Sequence, residues 1–99
     1  MLVELRPEAS DDLVSAAEYF NDKSLGWGDH FLESIESDLL DLEREAGIHA
    51  LHHGMPCKFA SVFPFAIYYR IETSVAMVYA ILSCRMDPGV HMTILKDRG

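Results

Sequence analysis

The spacing of apolar residues changes once along this chain. Ahead of residue 46 they recur every three to four positions, the period of a helix with one buried face. From Val62 to Pro88 they follow a two-residue alternation, the period of a strand. In the second region Phe65, Ile67, Tyr69 and Ile71 alternate with Ala66, Tyr68 and Arg70. After a break at Glu72-Thr73-Ser74, Val75, Met77, Tyr79 and Ile81 alternate with Ala76, Val78, Ala80 and Leu82. Both parities are mostly apolar, so the two runs predict a hairpin in the middle of a sheet. β-branched and aromatic residues favour strand over buried helix here. Pro64, with no amide donor, belongs at the start of its strand. Arg85, Asp87 and Pro88 close the second strand.

The helical region divides in two. Pro7 suits a first helical turn, and Glu8, Asp11 and Asp12 complement its dipole. Leu13, Ala16, Ala17 and Phe20 form the stripe of a first helix that runs to about Asp22. Ser24 reads as an N-cap for a second helix carrying Trp27, Phe31, Ile35, Leu39 and Leu42 and ending near Glu45 to Gly47. Gly26 and Gly28 weaken its first turn by roughly 1 kcal/mol each relative to alanine. Its opposite face holds Asp29, Glu33, Glu36, Asp41 and Glu43, either a solvated surface or a docking face for a basic partner. Leu2–Arg6 reads as a short first strand and Cys57–Phe63 as a strand leading into the hairpin. The tail from Gly89 to Gly99 reads as a short helix or a loose end.

The predicted order is therefore β-α-α-β-β-β in a single domain over residues 1–99. The fold class is α+β, two-layered, with an N-terminal helical hairpin packed on a twisted antiparallel sheet. The other sheet face is left for function. No run approaches the roughly 18 apolar residues of a membrane span, and no secretory signal opens the chain, so the expected location is cytoplasmic. Cys57 and Cys84 read as reduced, small hydrophobic residues there.

Charge sharpens the picture once it is divided. The net charge is −8, and residues 7 to 45 carry twelve acidic side chains against two basic ones, Lys23 and Arg44. Residues 46 to 99 carry three acidic and five basic side chains, a balance of +2, with four histidines besides. An acidic chain is a poor general nucleic-acid binder, since phosphate binding needs cations. His49, His52 and His53, with Cys57 nearby, raise a metal reading. Their spacing fits no standard zinc pattern, so no metal and no cofactor is expected.

Three segments together carry a resemblance: PEASDDLVSAAEYF at the first helix, FPFAIYYRI at the first hairpin strand and AILSCRMDP at the end of the second. With this order of elements, the chain resembles the RelE/ParE superfamily of type II toxin–antitoxin toxins, on the ParE-like, plasmid-stabilisation side. The resemblance spans nearly the whole chain. It implies the fold above, with the first strand beside the last, and a cognate antitoxin as partner. It also implies one of two activities: inhibition of DNA gyrase in ParE-like members, or metal-independent cleavage of messenger RNA on the ribosome in RelE-like members. A member that has lost toxicity and only binds antitoxin is a third reading.

Residues transfer only where positions match. Arg85 matches a basic residue common to both branches, His91 a position usually aromatic, and Lys58 a basic residue preceding the FPF segment. These three are the catalytic candidates if the chain is RelE-like, with Arg85 clamping phosphate and His91 moving a proton. Ala66 stands where RelE-like members place an arginine, Ser83 where histidine is frequent and Met86 where a second arginine is frequent. This thin basic set, with the net charge of −8, favours the ParE-like reading and the non-toxic, antitoxin-binding reading over the nuclease. Structural roles compete with these: an ion pair with Asp87 or a helix carboxylate for Arg85, and a surface position in the tail for His91. Tyr68 and Tyr69 read as core or sheet-face aromatics rather than catalytic phenols.

Overall fold

The computed structural model describes all residues, Met1–Gly99. Strand β1 (Leu2–Leu5) leads into α1 (Pro7–Lys23) and α2 (Trp27–Glu45). Then follow β2 (Leu51–His52), β3 (Met55–Phe59), β4 (Phe65–Glu72), β5 (Val75–Ser83) and α3 (Pro88–Arg98). The five strands form one sheet in the order β1-β5-β4-β3-β2. The expected α+β architecture is present, with the first strand beside the last. β1 runs parallel to β5, so the sheet is mixed rather than wholly antiparallel. The helical hairpin links the two edge strands, β1 and β2, and the antiparallel meander from β2 to β5 then returns β5 to the side of β1, running the same way.

The β4–β5 turn explains the break in alternation. Thr73 and Ser74 both have positive φ, 49° and 64°, as a two-residue hairpin of right-handed twist requires. β4 is buried on both parities from Phe65 to Tyr69, as its composition predicts. Its odd residues Phe65, Ile67 and Tyr69 meet Phe31, Ile35 and Leu42 of α2 in the larger core. Its even residues Ala66 and Tyr68 join Met55, Cys57, Tyr79, Ala80, Leu82 and Leu95 in a smaller core on the other face. That face is not left open: α3 covers part of it through His91 and Leu95. A register shift between Tyr68 and Tyr69 marks a bulge at Tyr79 on β5.

Several boundaries differ from expectation for local reasons. Ser24 closes α1, its amide donating to the Phe20 carbonyl, and does not cap α2. Gly26, at φ 89°, precedes α2 instead, a left-handed position that glycine takes without strain. Gly28 sits where the two helices cross, and a Cβ there would lie 2.5 Å from the Ala17 carbonyl oxygen. Trp27 consequently starts α2 at the rim of the core and stays 47% exposed. β3 stops at Phe59, and Asp38 of α2 holds the following loop, accepting from the Ser61 amide (3.1 Å) and hydroxyl (2.7 Å). Part of the histidine loop pairs with β3 as the two-residue strand β2.

Candidate functional site

Lys58 and His91 lie on opposite faces of the sheet. Lys58 is opposite Ile67, whose side chain belongs to the helix-facing core. It is only 8% exposed and pairs with Glu45 at the end of α2. Glu45 also lies 3.6 Å from His49 Nε2. His49 Nδ1 is 2.6 Å from the Tyr69 hydroxyl, which accepts from the Gly47 amide at 3.0 Å. The Tyr69 proton therefore goes to Nδ1, leaving the His49 Nε2–H toward Glu45. Burial holds His49 below its ordinary pKa; the Glu45 carboxylate opposes this and the Lys58 ammonium adds to it. Lys58 thus ties α2 to β3 through Glu45.

His91 is equally engaged. Its Nε2 lies 2.7 Å from the Ser83 carbonyl, which can only accept, so that nitrogen carries a proton. Its Nδ1 is 2.8 Å from the Tyr68 hydroxyl and, in neutral His91, accepts from it. Burial, with Cys57 and Cys84 adding less, pushes the Tyr68 phenol up to about 12, so it keeps its proton. His91 is 5% exposed. It is neither the surface residue of a loose tail nor an open acid–base group: it latches α3 to the end of β5. His53 stands 6.2 Å away, centroid to centroid, at the edge of this cluster.

Arg85 alone among the three candidates is exposed and takes part in none of the chain's ion pairs. Asp87, its expected partner, instead caps α3 by accepting from the Gly89 amide at 2.7 Å. Arg85 lines a mainly apolar groove of about 610 Å³ between α1 and the ends of β4 and β5. Tyr19, Phe20, Phe63, Phe65 and Met86 supply its apolar wall, and Asp12 and Ser15 its polar rim. The groove exists because β1 stops opposite Val78, leaving the last part of β5 paired to β4 alone, with no strand on its other side. The chain caps the first backbone groups there itself. Asp12 accepts from the Ile81 amide (3.0 Å), and Arg98 donates to the Tyr79 carbonyl (3.1 Å). Arg98 and Asp12 also form a two-pronged ion pair, one contact at 2.9 Å, that joins α3 to α1.

The structure therefore brings Arg85 and His91 to the two sides of Ser83 and sets Lys58 apart. Two groups escaped sequence reasoning. Asp38 falls inside the apolar stripe of α2, between Ile35 and Leu42, and an acid in that place is a detectable signal. The Asp12–Arg98 pair spans 86 residues and has no local signature. The three loop histidines separate rather than gather: His49 binds Tyr69, His52 packs edge-on against Phe59, and His53 faces Tyr68. No group of three metal-ligating side chains comes together, and no helix is long and apolar enough to cross a membrane.

No family model matches the chain, and no curated protein matches it. Among solved structures, it is similar to a chain of the chromosomal ParDE TA system from P. aeruginosa. The TM-score is 0.75 at 14% identity, over 84% of this chain and 95% of that one. The two chains therefore share a fold.

Proposed function

We propose that this chain is the toxin half of a type II toxin–antitoxin system, ParE-like in action, neutralised by a cognate antitoxin and acting by binding DNA gyrase. The observation that carries the reading is the likeness in fold to a chain of a ParDE TA system over nearly the full length of both. The state of the candidate residues supports binding over RNA cleavage. A metal-independent nuclease needs cations and a proton-transfer group converging on one phosphate. Here Lys58 is tied to Glu45 on one face of the sheet and His91 is bonded through both nitrogens on the other. Arg85 beside an apolar groove suits a protein partner, with the groove providing affinity and the guanidinium orientation. The test pairs two assays on the purified chain. Supercoiling by DNA gyrase should be inhibited, and primer extension on translated messenger RNA should show no new ends. Ribosome-dependent cuts with unimpaired gyrase would replace this reading by the endoribonuclease one.

A further inference from the structure

A second surface lies away from the Arg85 groove, at the outer edge of the sheet. β1 has a strand neighbour on one side only. The Arg6 amide donates to the Val78 carbonyl, so Arg6 faces β5. By the two-residue alternation Glu4 and Leu2 face β5 as well, and Val3 and Leu5 turn their amides and carbonyls outward, where no strand meets them. The side chains of these same two residues join Leu39 and Leu40 of α2 in a shallow groove of about 330 Å³. Leu40 is 64% exposed. Glu36 and Glu43 complete the lining, one turn or so to either side of the leucines, and neither carboxylate takes part in an ion pair. The Met1 ammonium bonds the Glu43 backbone carbonyl and not its carboxylate. An unpaired edge, an apolar trough and two free carboxylates thus lie together.

We infer that this edge receives an extended segment of the antitoxin that is basic where it crosses α2, in a Lys/Arg–x–apolar–x–Lys/Arg pattern. The inference rests on the two-protein reading above and adds where one contact lies and what chemistry it has. Strand addition would satisfy the outward groups of Val3 and Leu5. Glu36 and Glu43 are seven residues apart, about 10 Å along a helix. Strand residues four apart span about 13 Å, so two long basic side chains at that spacing reach both carboxylates, with the middle residue over Leu39 and Leu40. A second copy of this chain is the wrong occupant. Two-fold pairing of β1 with itself would set Glu36 and Glu43 against their own copies, on helices already dense in acid, and like charges brought together are costly. The same repulsion excludes an acidic segment.

The test uses the complex formed by co-expressing the chain with the product of the adjacent small reading frame. Amide exchange at Val3 and Leu5 should slow at least roughly ten-fold in the complex, as expected for newly paired edge groups. Glu36→Lys with Glu43→Lys, both on the surface of α2, should weaken binding by roughly ten-fold or more and flatten its salt dependence. A complex that forms with Val3 and Leu5 exchanging as in the free chain, or with affinity unmoved by the double charge reversal, overturns this inference and leaves the toxin reading standing. Exchange measured on the unmodified chain keeps the test decisive if the double variant folds poorly. Binding by no neighbouring product overturns both.

Discussion

Arg85 and His91 show how little residue type says without environment. Both lie near the end of β5, where the resemblance places functional groups, yet only Arg85 has its head group free. Arg85→Ala should therefore shift the denaturation midpoint hardly at all, within the roughly 0.5 kcal/mol usual for surface changes. Growth inhibition by the induced chain should be lost. Lowered stability with unchanged toxicity per folded molecule would make Arg85 structural instead. His91 is visible in the sequence as a histidine of uncertain place; its burial follows from α3, whose docking depends on Ser83, eight residues away, and Tyr68, 23 residues away. Lys58 was visible as a cation, but its partner Glu45 lies on another element.

The buried titratable groups set the pH limits of the fold. Burial pushes the Cys57 thiol, an ordinary 9.0, and the Tyr68 phenol, an ordinary 10.0, each up to about 12. The unfolded chain loses these protons first, so stability should be intact below pH 9 and fall as pH rises toward 12. His49 works in the other direction. Its pKa is depressed in the fold, so its contribution is present above about 6.5 and is lost as pH falls. Denaturant midpoints measured from pH 5 to pH 11 should trace a plateau with both shoulders. A flat acid limb in His49→Gln, with the alkaline limb unchanged, assigns the former to His49.

At the scale of elements, periodicity carried most of the information. The two-parity burial of β4 and the apolar stripe of α2 were legible because each is a repeated local pattern, read before any contact is known. The ends of elements were less legible. Ser24 has the chemistry of an N-cap but follows a helix closely enough to terminate it, and Gly26 takes the left-handed turn between the two helices. The parallel entry of β1 depends on how the helical hairpin crosses the sheet, which no local pattern records.

Two contrasts test this packing. Phe31 is fully buried, with ring centroids 5.1, 5.2 and 4.8 Å from Phe20, Phe63 and Phe65. Phe31→Ala should cost about 3–5 kcal/mol in urea unfolding. Trp27→Ala, four residues earlier on the same stripe but at the rim, should cost clearly less; equal losses would contradict the rim placement. Gly28 supplies the second contrast. Gly28→Ala, which raises helix propensity by about 1 kcal/mol, should nonetheless destabilise, because the added methyl meets the Ala17 carbonyl and Asn21. A gain in stability would mean that the helices do not cross so closely.

At the scale of the whole molecule, charge separates this chain from a nucleic-acid-binding design. The acidic side chains concentrate on the helical hairpin, and the sheet and tail are mildly basic. Two surfaces remain open for a protein partner: the apolar groove at Arg85 and the β1 edge beside Glu36 and Glu43. The carboxylates at one and the guanidinium at the other call for opposite charges in whatever covers them. Such complementarity sets specificity and association rate more than affinity, which the apolar walls supply. The fold was legible in the sequence almost in full, because it follows from patterns. The surfaces were not, because each is assembled from residues far apart in the chain.

A toxin of this kind should arrest growth, and a small neighbouring protein should relieve the arrest by binding it. The most direct measurement follows colony formation when the chain is induced alone and together with the product of the adjacent small reading frame. Induction alone should reduce viable counts by orders of magnitude, and co-induction should restore them, with the two proteins recovered as one complex. Undiminished growth with the folded chain present would contradict the account, as would an arrest that no neighbouring product relieves.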